Sequence, residues 1–290
     1  MDDPVGSPPA QATRGVRVLT RGGAMPTVLI TGATDGIGLA TARALLALDW
    51  QVLVHGRNEA RARRVTHTLG AAGGSAIPVW GDFTRLREVA ALADQIRTLT
   101  PSLAVLINNA GVYDSQRTVT EDGYERTFAV NYLAHFLLTR RVLPCLLAAP
   151  GARVVHVSSG THHAGQLDFA DLQGNTRYDA YRAYCNSKLA NMLFSNALAA
   201  RYAPKQLTSN ALHPGVIATK LLRVGFGGGG APVAAGAETS VYLATSPAVA
   251  ARTGGYFSAG RAAKAARPAG DMALAERLWA VSETLTAGFE

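Results

Sequence analysis

The chain has 290 residues, 48% hydrophobic and 17% charged, enough to close one large core as a single α/β domain. Its formal net charge of +8 comes from dispersed Lys and Arg with no basic block, which argues against a nucleic-acid-binding module and for a solvated basic surface or an attraction to anionic ligands. The two cysteines, Cys145 and Cys185, fit neither a metal spacing nor a disulfide framework, so a reducing, cytoplasmic setting is expected.

Residues 1–26 are rich in Pro, Gly, Arg and small side chains without apolar periodicity, which predicts a disordered leader ahead of a folded unit spanning 27–290. The leader lacks the apolar run of a secretory signal, and the essential chain is expected to begin near Met25. From Thr27 onward short β-branched runs alternate with longer helical stretches. Val28-Leu29-Ile30 precedes a helix over 36–48, Val52-Leu53-Val54 one over 59–69, and Ile77-Pro78-Val79-Trp80 one over 86–99. Ala104-Val105-Leu106-Ile107 then leads to a long helix near 124–147, and Val154-Val155-His156-Val157 follows. A further helix is predicted over 183–202 and a strand over 208–212, while residues 225–230, with four consecutive glycines, read as a flexible segment. This alternation predicts an α/β fold, a doubly wound parallel sheet with helices on both faces. The most apolar long segment, 128–147, is interrupted by Asn131, His135, Arg140 and Arg141, so it reads as an amphipathic core helix and no membrane span is expected.

After the first strand comes Thr31-Gly32-Ala33-Thr34-Asp35-Gly36-Ile37-Gly38, a strand-to-helix turn whose glycines let the backbone approach a pyrophosphate at a positive helix end. The spacing differs from GxGxxG, because three residues separate Gly32 from Gly36, and this TGxxxGIG form resembles the short-chain dehydrogenase/reductase family. The resemblance extends through Asp82 after the third strand, Asn108-Asn109-Ala110-Gly111 after the fourth, Asn131 in the long helix and Ser158-Ser159 after the fifth strand. It continues through Tyr184-Cys185-Asn186-Ser187-Lys188 and Pro214-Gly215-Val216-Ile217-Ala218-Thr219. The tail, Gly255-Tyr256-Phe257 with Arg277-Leu278-Trp279-Ala280-Val281-Ser282-Glu283, resembles the retinol-dehydrogenase-like branch.

The resemblance implies a single-domain Rossmann-type fold that binds a nicotinamide dinucleotide. Thr31, Gly32, Gly36, Ile37 and Gly38 would cradle it, with Asp82 at the adenine edge, Asn109 and Gly111 along the adenosine side, and Phe83 and Ala110 among the other cofactor-binding residues. Pro214, Gly215 and Thr219 would be further contacts, Thr219 at the nicotinamide carboxamide. Choice of cofactor has its own physical argument. A carboxylate at the end of the second strand would accept the ribose 2′-OH of NAD and repel the 2′-phosphate of NADP. Here that strand ends Val54-His55-Gly56-Arg57, with no acid and with a planar donor fork suited to phosphate, which favours NADP(H) over NAD(H). Asp35, inside the glycine turn, works against that preference.

Tyr184 and Lys188 are four residues apart, so on a helix they share one face. A free tyrosine titrates near 10 and needs nearby positive charge to act as a base at neutral pH, which the lysine supplies. In reduction the same hydroxyl gives its proton to the carbonyl oxygen. The resemblance implies that Ser159, or Ser158 in its place, holds the substrate oxygen. It further implies that Tyr184 is the acid/base, that Lys188 also grips the nicotinamide ribose, and that Asn131 supports a water relaying protons to Lys188. Residues 162–181 form an insertion that suits the retinol-dehydrogenase-like branch. His162 and His163 read as rim residues, since nothing completes a metal ligand set, and Cys185 reads as structural.

The expected activity is an NADP(H)-preferring carbonyl reductase or alcohol dehydrogenase acting on a small apolar substrate, its direction following the cell's cofactor ratio. A non-catalytic NADP(H)-binding sensor or an interaction protein is the alternative, disfavoured because neither needs Asn131, Ser159, Tyr184 and Lys188 together. The substrate loop is expected at 220–235, mostly Gly, Leu, Val and Phe, and a homodimer or homotetramer is implied by the family resemblance.

Overall fold

The apolar and β-branched runs read as strands are all strands in the computed structural model, which describes residues 25–289. In chain order they are β1 (Thr27–Ile30), β2 (Gln51–Gly56), β3 (Ala76–Trp80), β4 (Val105–Asn108), β5 (Ala152–Val157) and β6 (Leu207–His213), with β7 (Tyr256–Ser258) and β8 (Arg261–Ala262) added after them. They form one sheet in the order β3-β2-β1-β4-β5-β6-β7-β8. Every pairing is parallel except the last, β7 with β8. This is a Rossmann-type doubly wound sheet, and both of its faces are covered.

The pleat assigns alternate residues to two cores. Leu29, Leu53, Leu106 and Val154 pack toward α3 (Leu86–Leu99), α5 (Ala134–Ala148) and α6 (Ala180–Arg201). Val28, Ile30, Val52, Val54, Val105 and Ile107 pack toward α1 (Gly36–Leu46), α2 (Glu59–Gly70) and α8 (Val233–Thr245). Full burial on both sides is why the strands read as near-continuous apolar runs.

Several boundaries differ from the sequence reading. Pro26, assigned there to the leader, already accepts the Gln51 N–H at 3.0 Å; residues 1–24 of that leader lie outside the described residues. The long helix begins as α4 (Arg126–Phe128), where the Glu125 carboxylate accepts the Thr127 and Phe128 N–H groups at 2.8 and 2.7 Å. It then passes through a π-turn, Ala129–Leu133, into α5. The segment after β6 carries α7 (Lys220–Phe226), which ends at Gly227 in the left-handed conformation, so Gly225 belongs to a helix and not to a flexible run. The chain closes with α9 (Met272–Thr286), whose Trp279 packs on Phe136 and Phe194 under the Arg201 guanidinium. Among the described residues no helix is long and apolar enough to cross a membrane.

Candidate active site

At the carboxyl ends of the strands a cavity of about 1400 Å³ opens, larger than the ~300–1,000 Å³ common for a single small ligand. It lies where a doubly wound sheet places its ligands. One end is built by the glycine turn. Gly32 has φ +65°, and a Cβ there would stand 3.0 Å from Ala110 Cα; a Cβ on Gly38 would stand 2.4 Å from the Gly32 carbonyl oxygen. These positions favour glycine, so the turn sits close against the segment after β4 and leaves the N-terminus of α1 open to the cavity.

The neighbouring side chains lock that turn. His55, at the end of β2, accepts the Gly32 N–H on Nδ1 at 3.0 Å and donates from Nε2 to the Gly81 carbonyl at 2.9 Å. Burial pulls its pKa down to about 4, which keeps the ring neutral with one donor and one acceptor. Phe83, expected among the cofactor-binding residues, stacks on it at 4.6 Å and is buried, so its ring supports His55. Asn109 donates from Nδ2 to the Thr31 carbonyl at 2.7 Å. Asp82 lines the cavity, and its Oδ1 accepts the Thr84 N–H and hydroxyl at 2.9 and 2.8 Å.

Three arginines, Arg43, Arg57 and Arg61, line the same end. Arg57 is exposed there. The Asp35 carboxylate caps α1 through the Gly36 N–H at 2.8 Å and is met by Lys220 Nζ at 2.7 Å and Arg61 Nη2 at 3.1 Å. The hydrogen bond from Lys220, ahead of the bond from Gly36 and the charge of Arg61, holds it below the ordinary carboxylate range. The charge that counted against a 2′-phosphate is thus already matched by two cations.

At the other end β5 and α6 bring Ser159, Tyr184 and Lys188 together. Asp179 caps α6 through the Arg182 N–H at 2.7 Å, and the helix carries Tyr184 and Lys188 one turn apart on the face that meets β5. The Lys188 ammonium lies 5.4 Å from the Tyr184 ring centroid and donates to the Val157 carbonyl at 3.0 Å. Both side chains are buried. Burial raises the Tyr184 phenol above its ordinary range, opposed by the Ser159 hydroxyl, and lowers Lys188 to about 8.

The structure separates the two serines. Ser158 is buried and donates to the Lys188 carbonyl at 2.8 Å, bracing β5 against α6. Ser159 faces Tyr184 and is only partly covered. Asn131 sits in the π-turn, where its amide pairs with the Val112 N–H and carbonyl at 2.8 and 3.0 Å and with Ser187 Oγ at 3.0 Å. Gly111 adjoins both, since a Cβ there would stand 3.5 Å from Asn131 Oδ1 and 3.6 Å from Lys188 Nζ. Pro214 and Gly215 line the cavity, and Thr219 caps α7 while facing Gly36.

One expectation is corrected here. His162 is not on the rim: it is fully buried, with Nδ1 2.6 Å from the Ser159 carbonyl and Nε2 accepting the Ala266 N–H at 3.1 Å, so it ties the turn after β5 to the C-terminal segment. His163 is exposed. Cys185 is fully buried. Among the described residues no group of three or more His, Cys, Asp or Glu could hold a metal. Sequence reasoning missed His55, His135, Arg43 and Arg61. For Arg61 a signal existed, a second cation one turn past Arg57; a histidine in a buried strand carries no such local mark.

The short chain dehydrogenase family model matches residues 26–225. The chain is 38% identical over 285 residues to Retinol dehydrogenase 14 of Mus musculus, covering 89% of this chain and 85% of that protein. Among solved structures it is similar to an uncharacterized protein from Mycobacterium paratuberculosis, with a TM-score of 0.77 and 31% identity over 91% of this chain and 94% of that one. It is also similar to the landomycin C-6 ketoreductase LanV with bound NADP and rabelomycin, with a TM-score of 0.63 and 28% identity over 81% of this chain and 94% of that one.

Proposed function

This chain belongs to the short chain dehydrogenase family, an oxidoreductase of CH–OH and C=O groups that binds NAD(P), and we propose that it is an NADP(H)-preferring reductase of apolar ketones and aldehydes, or in reverse a dehydrogenase of the alcohols, with Tyr184 as its acid/base. One observation carries the reading: Ser159, Tyr184 and Lys188 line one end of a cavity whose other end is the glycine turn and Arg57.

The residues present fit the dinucleotide. Glycines whose Cβ atoms would strike backbone leave room for a pyrophosphate at the start of α1. Arg57 and Arg43 offer forks for a 2′-phosphate, and Asp35 is neutralised by Arg61 and Lys220. NADP is the cofactor in the landomycin C-6 ketoreductase structure, which supports the preference. When bound, the nicotinamide supplies hydride in reduction and takes it in oxidation.

The chain's own residues do the rest. Ser159 positions the substrate oxygen beside the Tyr184 hydroxyl, which gives its proton to that oxygen in reduction and removes it in oxidation. The Ser159 hydroxyl opposes the burial that raises the phenol, and the Lys188 ammonium, 5.4 Å from the ring centroid, brings a positive charge of the sign that favours a phenolate. Asn131, fixed by Val112 and Ser187, supports a water that returns protons toward Lys188. The two free, buried thiols, Cys145 and Cys185, suit a reducing, cytoplasmic setting.

NADPH consumption against a panel of ketones and aldehydes, with wild type and Tyr184→Phe side by side, tests the reading. The variant should keep its affinity for NADPH and lose turnover by about 10² to 10⁴-fold, because only the proton donor is removed. Activity within tenfold of wild type would overturn the assignment.

A further inference from the structure

Tyr184 does not face open solvent across the cavity; two other rings stand against it. Tyr113, from the segment after β4, lies 5.6 Å from Tyr184 between ring centroids, tilted by 53°. Phe226, the last residue of α7, lies 5.8 Å from Tyr184 at 67° and 5.4 Å from Tyr113 at 60°. The three rings come from three separate stretches of chain and contact one another pairwise. Tyr181 extends the group outward, 6.2 Å from Phe226.

Phe226 is 39% exposed, so its ring is not held there by a closed core. Its helix rests directly on Tyr113, because a Cβ on Gly225 would stand 2.9 Å from that ring. Beyond it Gly227, Gly228, Gly229 and Gly230 all have positive φ, at 84°, 91°, 80° and 152°, conformations that glycine adopts without steric cost, and a Cβ would find open space at Gly227 and Gly229 but backbone 2.9 Å away at Gly230. The base of this segment is fastened, since the Ala218 N–H bonds to the Ala231 carbonyl at 3.0 Å and the Ala231 N–H to the Val216 carbonyl at 2.8 Å. The segment is therefore closed at its foot, with Gly227 and Gly229 in open space behind Phe226, the ring that fills the space against Tyr184 and Tyr113.

A group that displaces Phe226 breaks ring-to-ring contacts and must replace them. A flat conjugated ring restores offset or edge contacts with Tyr113 and Phe226, whereas a saturated ring of the same outline recovers burial alone. We propose that Tyr113 and Phe226 form an aromatic clamp that selects carbonyl substrates bearing a planar conjugated ring system over saturated ones of the same skeleton. This rests on the oxidoreductase reading above and names its substrate class.

The test measures binding apart from turnover. The full chain is saturated with NADP⁺, which cannot reduce a ketone, and dissociation constants are measured by calorimetry for 2-acetylnaphthalene and for its saturated counterpart 2-acetyldecalin. The ratio of the two constants is compared among wild type, Tyr113→Leu, Phe226→Leu and Tyr113→Phe. Each leucine variant should reduce the preference for the flat ketone by about 2- to 10-fold, the range expected for one lost ring contact, while Tyr113→Phe retains it. Unchanged affinity for NADP⁺ certifies that the variants are folded. A ratio unchanged in both leucine variants overturns the clamp. Failure of wild type with NADPH to reduce either ketone, with the binding ratio responding as expected, would count against the functional reading and leave the clamp standing.

Discussion

The Thr31 hydroxyl lies 2.9 Å from His135 Nε2, and that contact joins the glycine turn to the π-turn that carries Asn131. Burial lowers His135 to about 3, so the ring is neutral. With Nδ1 donating to the Asn131 carbonyl at 3.0 Å, Nε2 is left to accept the Thr31 proton. The Thr31 oxygen is then free to accept the Asn109 and Ala110 N–H groups at 2.8 and 2.9 Å. One hydroxyl thus registers three segments that surround the cofactor cavity.

Thr31→Val keeps the shape of the side chain and removes its oxygen, leaving two partly buried N–H groups and a buried imidazole nitrogen without that partner. The expected loss is about 2 to 4 kcal/mol of stability, read as a drop in Tm, with weaker NADPH binding because the loop after β4 loses its anchor. Thr31→Ser should recover most of both. An unchanged Tm for the valine variant would show that the network contributes nothing.

Lys188 gives a pH dependence with a definite sign. Its folded-state pKa is lowered by burial to about 8 from 10.5, so between those values the unfolded chain binds more protons than the folded one and stability rises with pH. Lys188→Met has no such group. The Tm of wild type should therefore gain on that of Lys188→Met as pH increases from 7 to 10, by up to the equivalent of about 3 kcal/mol over the full window. A constant difference across that range would contradict the burial of the ammonium.

Cofactor choice is tested by titrating NADPH and NADH separately into wild type and Arg57→Ala. NADPH affinity alone should fall, by about 1 to 3 kcal/mol, as a charge-assisted bond to the 2′-phosphate is lost. Equal effects on the two cofactors, or none, would remove Arg57 as the discriminator and direct attention to Arg43 and Arg61.

Much of this protein was legible in the linear chain because the determinants are local. Burial on both faces makes each parallel strand an apolar run, a strand-to-helix turn under a phosphate demands glycine where Gly32, Gly36 and Gly38 stand, and four residues of helix place Tyr184 and Lys188 on one face. What depends on contacts between distant segments was not legible. Ser158 and Ser159 are adjacent and chemically identical, and only the packing of β5 against α6 turns one to the Lys188 carbonyl and the other to Tyr184. His162 reads as a polar rim residue until the C-terminal segment buries it under the Ala266 N–H. His55 and His135 acquire their work from partners 23 and 104 residues away, and Phe226 meets Tyr113 and Tyr184 only once the chain has returned over the cavity. Sequence alone determined the fold and the placement of Tyr184 and Lys188 one helical turn apart, since short-range sterics and periodicity specify both; the neighbours that orient those two side chains were decided by tertiary structure, because a hydrogen bond or ring contact between remote residues leaves no trace in the spacing of either one.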